Sequence, residues 1–186
     1  MVGEKQVHFP EVYAKLKTPE LLEAYAAGPQ RLRRVLEGLT EADLRAHPRP
    51  GKWSIKEIAL HILDSEIIGA GRIRQAYAQP GSTFPACNQD LWTKVFDHQN
   101  CDRGDFEKSL QLFDMLRAVT TRLFRKATEK EWRQTGRHTE WGELTLRQLL
   151  ELYADHSERH IEQILLIREL LGKPLQFPLL LKTRLY

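Results

Sequence analysis

Thr145-Leu146-Arg147-Gln148-Leu149-Leu150-Glu151-Leu152-Tyr153-Ala154-Asp155-His156-Ser157-Glu158-Arg159-His160-Ile161-Glu162-Gln163-Ile164 is the stretch on which the fold turns. Thr145 and Gln148 form a capping box, whose side chains satisfy amides that a first helical turn leaves unpaired. Leu149, Leu152, Tyr153, Ile164 and Ile167 recur at the spacing of one helix face, and Gly172 and Pro174 supply the stop. At 1.5 Å per residue this helix spans roughly 40 Å, the full height of a bundle. His156 and His160 lie four residues apart, about 40° from each other and one turn apart along the axis, on the same side as the apolar residues. Both imidazoles therefore face inward, whereas Glu151, Asp155, Glu158, Glu162 and Glu169 lie on other sides.

Working outward, the same signals mark further helices. Thr18-Pro19-Glu20 reads as a cap, an early proline and an early acid before Leu21, Leu22 and Tyr25. Gly28-Pro29 interrupts that segment, and a kink or restart within one element carries it on through Leu32, Val35, Leu36 and Leu39. Ser54-Ile55-Lys56-Glu57 is a second capping box, opening a helix to about Tyr77 that Pro80-Gly81 closes. The segment 82–104 has little pattern beyond a short helix around 90–96. Asp105 is expected to cap a helix over 106 to about 127, with Leu110, Phe113, Met115, Leu116, Val119, Leu123 and Phe124 in its apolar stripe. No segment alternates with period two, so no strand is expected and the chain reads as an all-α helical bundle.

The 186 residues read as a single domain, with a core of about 19–172 and an apolar, proline-broken tail over 173–186. Lys and Arg total 28 against 25 Asp and Glu, a net charge of +3, which is too balanced to point to nucleic acid. Basic residues such as Arg31, Arg33 and Arg34 read as a solvated helix face. No apolar run reaches the length of a membrane span. Met1 to Pro10 carries Glu4, Lys5 and His8 where a signal peptide needs apolar residues, so a cytoplasmic location is expected. Cys87 and Cys101 lack metal or disulfide spacing and read as reduced thiols.

With seven histidines in the chain, about 0.2 pairs at spacing four arise by chance. The spacing alone therefore leaves two readings open: two metal ligands, or two hydrogen-bonded core histidines. A third ligand would decide. Of His8, His47, His61, His98 and His138, only His61 sits well inside a helix at mid-height, with Glu57, Asp64 and Ser65 on its face. Three histidines leave a coordination position open, as in a reactive rather than a closed structural site. Gln163 and Tyr153 flank the pair within reach, although plain packing explains both. Asp64 could orient His61 or bind the ion, although a carboxylate there is more often solvated. His138, in a 136–142 loop, is expected to face solvent. Ser157 occupies the place where H-E-x-x-H metalloproteases carry their general base, which excludes that chemistry. An ion here would activate a bound water or thiol as a nucleophile.

Gly51-Lys52-Trp53-Ser54-Ile55-Lys56-Glu57 leading to His61, then Leu63-Asp64-Ser65-Glu66, Arg72 and Arg74, and Gly142-Glu143-Leu144-Thr145-Leu146 leading to His156-x-x-x-His160-Ile161-x-Gln163-Ile164, resemble the blocks of the DinB-like superfamily, which includes YfiT-like bacillithiol transferases. The resemblance runs from about 21 to 171. It implies a four-helix bundle with a long crossover connection, a homodimer, and a divalent metal held in a cleft by His61, His156 and His160. It further implies zinc or nickel as the ion, a small-molecule substrate and a low-molecular-weight thiol as a possible cofactor. Family members act as thiol S-transferases and mycothiol-dependent isomerases, and others are described as metal-dependent hydrolases. Where related sequences often show an acidic residue a few places before a tryptophan, Cys87-Asn88-Gln89-Asp90-Leu91-Trp92 supplies Asn88 and Asp90 instead, a departure that bears on the cleft wall and substrate choice. The expected function is thus a metalloenzyme activating a thiol or water toward a small molecule; the alternatives are a metal-dependent hydrolase and a non-catalytic metal- or ligand-binding stress-response module.

Overall fold

A computed structural model describes residues 16–180. The segment Met1 to Pro10, His8 within it, and the tail beyond Leu180 lie outside the described residues. In chain order the elements are α1 (Thr18–Leu36), α2 (Glu41–Arg45), α3 (Ile55–Ala78), β1 (Thr83–Phe84), α4 (Gln89–Val95), a 3-10 turn (His98–Asn100), α5 (Arg103–Lys126), α6 (Glu129–Trp132), β2 (Thr135–His138), β3 (Gly142–Thr145) and α7 (Leu146–Leu170).

Both expected capping boxes form, Ser54 with Glu57 and Thr145 with Gln148. Two caps fall earlier than the sequence reading placed them. Lys17 rather than Thr18 is the N-cap of α1, its amide donating to Glu20 Oε2 at 3.0 Å. Asp102 rather than Asp105 caps α5, accepting from the Asp105 amide at 2.9 Å. An acid three residues ahead thus takes the role assigned to the nearer one.

The four long helices make the bundle, with α1 and α3 each packed against both α5 and α7. Arg147 donates to Leu16 O and Arg168 to Val35 O, joining like ends of α1 and α7, which therefore run parallel. Lys56 to Cys101 O and Arg74 to Thr120 do the same for α3 and α5. Arg33 with Asp114 and Arg125 with Glu23 join opposite ends, making α1 and α5 antiparallel. The order is up, down, down, up. Because α3 and α5 are parallel neighbours, the chain must travel the height of the bundle between them, and 79–102 is that long crossover.

The crossover is fastened by a sheet, correcting the expectation of no strands. β1 pairs in parallel with β2 (Phe84 opposite His138), and β2 pairs antiparallel with β3. Strands of two to four residues are too short to show a period-two pattern; long-range pairing defines them instead. At Gly136 a Cβ would lie 1.9 Å from Phe84 Cζ, so only glycine admits the buried Phe84 ring.

Two apolar clusters fill the bundle: Leu21, Tyr25, Ile73, Phe124 and Leu149 toward the sheet, and Leu32, Ile58, Ile62, Phe106 and Ile161 toward α2. Between them lies a charged layer. Arg117 meets Glu66 at 2.5 Å, with the side chains 2% and 1% exposed. Tyr25 Oη donates to Glu66 Oε1 at 2.5 Å, and Arg117 donates to Ser157 Oγ at 2.9 Å and to Tyr25 O at 2.8 Å. That last bond explains how α1 runs unbroken through Pro29. Proline has no amide hydrogen to offer the carbonyl four residues back, and Arg117 supplies the donor. Of the arginines of α1, Arg34 is exposed as expected, whereas Arg31 turns inward to buried Glu158 at 2.5 Å and Arg33 reaches Asp114.

Candidate metal centre

The inward face of α7 and the second turn of α3 meet across the bundle. One ring nitrogen from each of His61, His156 and His160 lies within 4.8 Å of the others, the sole such group of potential ligands among the described residues. His61 Nε2 and His156 Nε2 are 3.0 Å apart, and Ser65 Oγ sits 3.5 Å from each. Trp53 packs on His61 at 4.7 Å between ring centroids and stacks on His160 at 6.3 Å.

Burial sets the protonation of the three rings. Desolvation, reinforced by His160 and His98, pushes His61 down to about 3. Desolvation drives His156 well below its ordinary value, with His160 and His61 adding to the effect. For His160 desolvation outweighs an opposing hydrogen bond to Gln163, giving about 4. All three are neutral at pH 7, which keeps ring lone pairs free for a cation. Gln163 Oε1 lies 3.0 Å from His160 Nδ1; a carbonyl oxygen only accepts, so Nδ1 carries the hydrogen and Nε2 holds the lone pair. Three neutral imidazoles, His61 buried and His156 and His160 partly buried, converging without a carboxylate among them, suit a borderline-soft divalent ion. The donor set fits the metal that the sequence pattern implies.

The cluster opens into a cavity of about 530 Å³ between α3 and α7. Cys87 and Trp92 from the crossover and His138 and Trp141 from the β2–β3 hairpin form its outer wall. Tyr153, 5% exposed, lies on the inner wall, where Arg72 donates to its hydroxyl at 3.1 Å. A Cβ on Gly69 would come within 2.6 Å of the Tyr153 ring, so this close approach requires glycine.

Two site expectations change. Asp64 is half-buried rather than solvated and accepts from His98 Nε2 at 2.7 Å, because the crossover folds His98 over it. His138 is 2% exposed instead of solvent-facing, since it belongs to β2 and stacks on Trp141 at 4.1 Å. Burial, and then the nearby Arg72 charge, lower its pKa to about 4. Gln163 and Tyr153 stand where helical geometry put them. Ser157 turns from the histidines to hold Arg117, and Glu158 turns away toward Arg31. Sequence reasoning missed Arg72 as a cleft residue; the signal was its position eleven residues, about three turns, beyond His61 on one face of α3.

The family model of the DinB superfamily matches residues 24–164, which include all three histidines. The chain belongs to the DinB superfamily. Among DinB relatives, a Geobacillus kaustophilus protein named "putative metal-dependent hydrolase" is 27% identical over 164 residues, spanning 88% of this chain and 90% of its own. YfiT of Bacillus subtilis, named in the same way, is 26% identical over 137 residues, 73% of this chain and 75% of its own. The solved YfiT structure, described as having an unusual four-helix bundle topology, superposes with a TM-score of 0.78 at 23% identity, covering 85% of this chain and 89% of that one. A mycothiol-dependent maleylpyruvate isomerase gives a TM-score of 0.65 at 12% identity, over 82% and 62% of the two chains. These likenesses establish a shared bundle. No helix among the described residues is long and apolar enough to cross a membrane.

Proposed function

We propose that this DinB-superfamily chain is a metal-dependent enzyme, with His61, His156 and His160 holding one divalent ion, zinc or nickel, at the floor of the cleft. The observation that carries the reading is the convergence of three neutral imidazoles, within 4.8 Å, on a cavity large enough for a small molecule. Held there, a divalent ion lowers the pKa of a bound thiol or water toward neutrality and supplies a nucleophile at the position the histidines leave open.

The chain's own residues prepare the rest. Ser65 Oγ, equidistant from His61 and His156, can donate to or accept from a group at the open position. Asp64, held by His98, presents a carboxylate beside His61 that can take a proton. Trp92, Trp141 and Tyr153 give apolar walls that thin the water around the reacting groups. Thiol transfer from a low-molecular-weight thiol is the preferred reaction, and hydrolysis by water is a second reading favoured by the relatives' names.

Elemental analysis of the wild type beside His156→Ala tests the ion, with about one equivalent expected in the first and its loss in the second. The metal-loaded chain is then offered a panel of thiols with a chromogenic electrophile, and separately a panel of esters and amides. Turnover in the first supports transfer and in the second hydrolysis; a loaded chain inert in both refutes an enzymatic role. We further propose a homodimer, for which Leu112, Met115 and Val119 offer an exposed apolar stripe on α5; light scattering at monomer mass would refute it.

A further inference from the structure

Among the buried cations of the described residues, Arg72 alone has neither a carboxylate partner nor three acceptors. Lys56, fully buried, meets Glu41 and donates to Cys101 O. Arg117 meets Glu66. Arg168 donates to three backbone carbonyls, of Val35, Glu37 and Lys173. Arg72 is 7% exposed and has no carboxylate partner among the described residues. It donates to the neutral Tyr153 hydroxyl at 3.1 Å and to Pro85 O at 2.5 Å, and its Nε has no partner.

A guanidinium carries five N–H donors in a planar fork that matches a carboxylate, so two bonds leave three donors unused. Keeping such a charge out of water without a counter-charge is costly. Arg72 also lines the cleft of the histidine cluster. No carboxylate of the cleft pairs with it directly: Asp64 accepts from His98, and Asp90 and Glu140 are solvent-exposed on the rim. Its field reaches the opposite wall: burial raises the Cys87 pKa, with Arg72 offsetting part of that rise and Asp64 opposing Arg72, while burial and then Arg72 lower the His138 pKa, with Glu140 opposing.

We infer that Arg72 is the anion-recognising residue of the cleft, and that the substrate is an elongated small molecule bearing a carboxylate at the end remote from the reacting group. The inference rests on the functional reading above for the location of the reacting group. The separation follows from α3: eleven residues from His61 to Arg72 amount to about 16 Å of rise on one face. An extended acid matches that rise, lying along the cavity with its charge on Arg72 and its other end at the histidines. Gly69, between the two, keeps the floor low enough for Tyr153 to lie flat and present its hydroxyl to Arg72.

The probes are 6-phenylhexanoate and its uncharged amide, titrated into the full chain with tryptophan fluorescence as readout. Metal-loaded wild type, chelator-stripped wild type, His156→Ala and Arg72→Gln are compared. The acid is expected to bind at least tenfold more tightly than the amide in the first three, and less than twofold more tightly in Arg72→Gln. Persistence in the stripped chain and in His156→Ala separates this inference from the metal reading, whose failure would leave the preference intact. A preference that vanishes with the metal and survives Arg72→Gln places the acid on the ion and overturns the proposal. Equal affinity for acid and amide in stripped wild type, or no binding of either, overturns it without any variant, whether or not Arg72→Gln folds.

Discussion

Replacing Glu66 by Gln is the sharpest probe of the charged layer inside the bundle. The amide keeps the volume of the carboxylate and one acceptor oxygen, so cavity effects are small and the charge is what is lost. Arg117, 2% exposed, would be left with neutral acceptors alone: Tyr25 O, Tyr153 O, Ser157 Oγ and the oxygen of the new amide. Removing one partner of a buried ion pair costs about 3–5 kcal/mol because the other charge stays behind uncompensated. For a chain of this size each kcal/mol moves the melting temperature by about 2–4 °C, so Glu66→Gln should melt roughly 6–20 °C below wild type. Urea unfolding followed by circular dichroism should show a lower midpoint at unchanged slope. The pair Glu66→Leu with Arg117→Met removes both charges and should recover part of that loss. It leaves Tyr25 O without a donor and Tyr25 Oη without its acceptor, about 1–3 kcal/mol each; adding Pro29→Ala returns a backbone amide to that carbonyl and should recover the first of these. A Glu66→Gln variant within about 1 kcal/mol of wild type would refute the reasoning, as would a double variant less stable than the single one.

Gln163→Ala frees the His160 ring to turn and change tautomer, and should weaken metal binding about 10–100-fold in a chelator competition while leaving the fold intact. Gly136→Ala drives a methyl into the Phe84 ring; overpacking typically costs about 1–3 kcal/mol, and limited proteolysis should cut the crossover 79–102 faster than in wild type. His138 is neutral when folded, with a pKa lowered to about 4, but protonates near 6.5 when unfolded. Its contribution to stability is therefore full above pH 6.5 and is lost as pH falls toward 4. His138→Gln should flatten the stability profile in that window, measured against wild type with the ion removed from both.

Much of the bundle was legible because its signals are local. The capping boxes at Ser54 and Thr145 and the apolar faces of α3 and α7 require only near neighbours in sequence. The histidine cluster was legible for the same reason, since helical angle fixes the direction of His156 and His160, and His61 stood out by its place within a helix. The sheet was not, because a two-residue strand such as β1 exists only through its pairing with β2. The burial of His98 and His138 was not legible, because the crossover and the hairpin enclose them and nothing in their local sequence records what folds over them. Arg117 was hidden in an amphipathic pattern that assigns arginine to the surface; only the missing amide of Pro29 hints at the acceptor waiting for it.

The separation of His61 from His156 by 95 residues has a consequence for the life of the chain before it is finished. During synthesis α3 emerges early and α7 late, so a growing chain holds one imidazole of the trio until nearly all described helices have been made. An ion offered to the nascent polypeptide finds no three-point grip, and a premature stop anywhere before α7 yields a product that cannot retain it. If the three histidines hold an ion as proposed, its capture would report that translation has passed the last long helix and that the helix has docked.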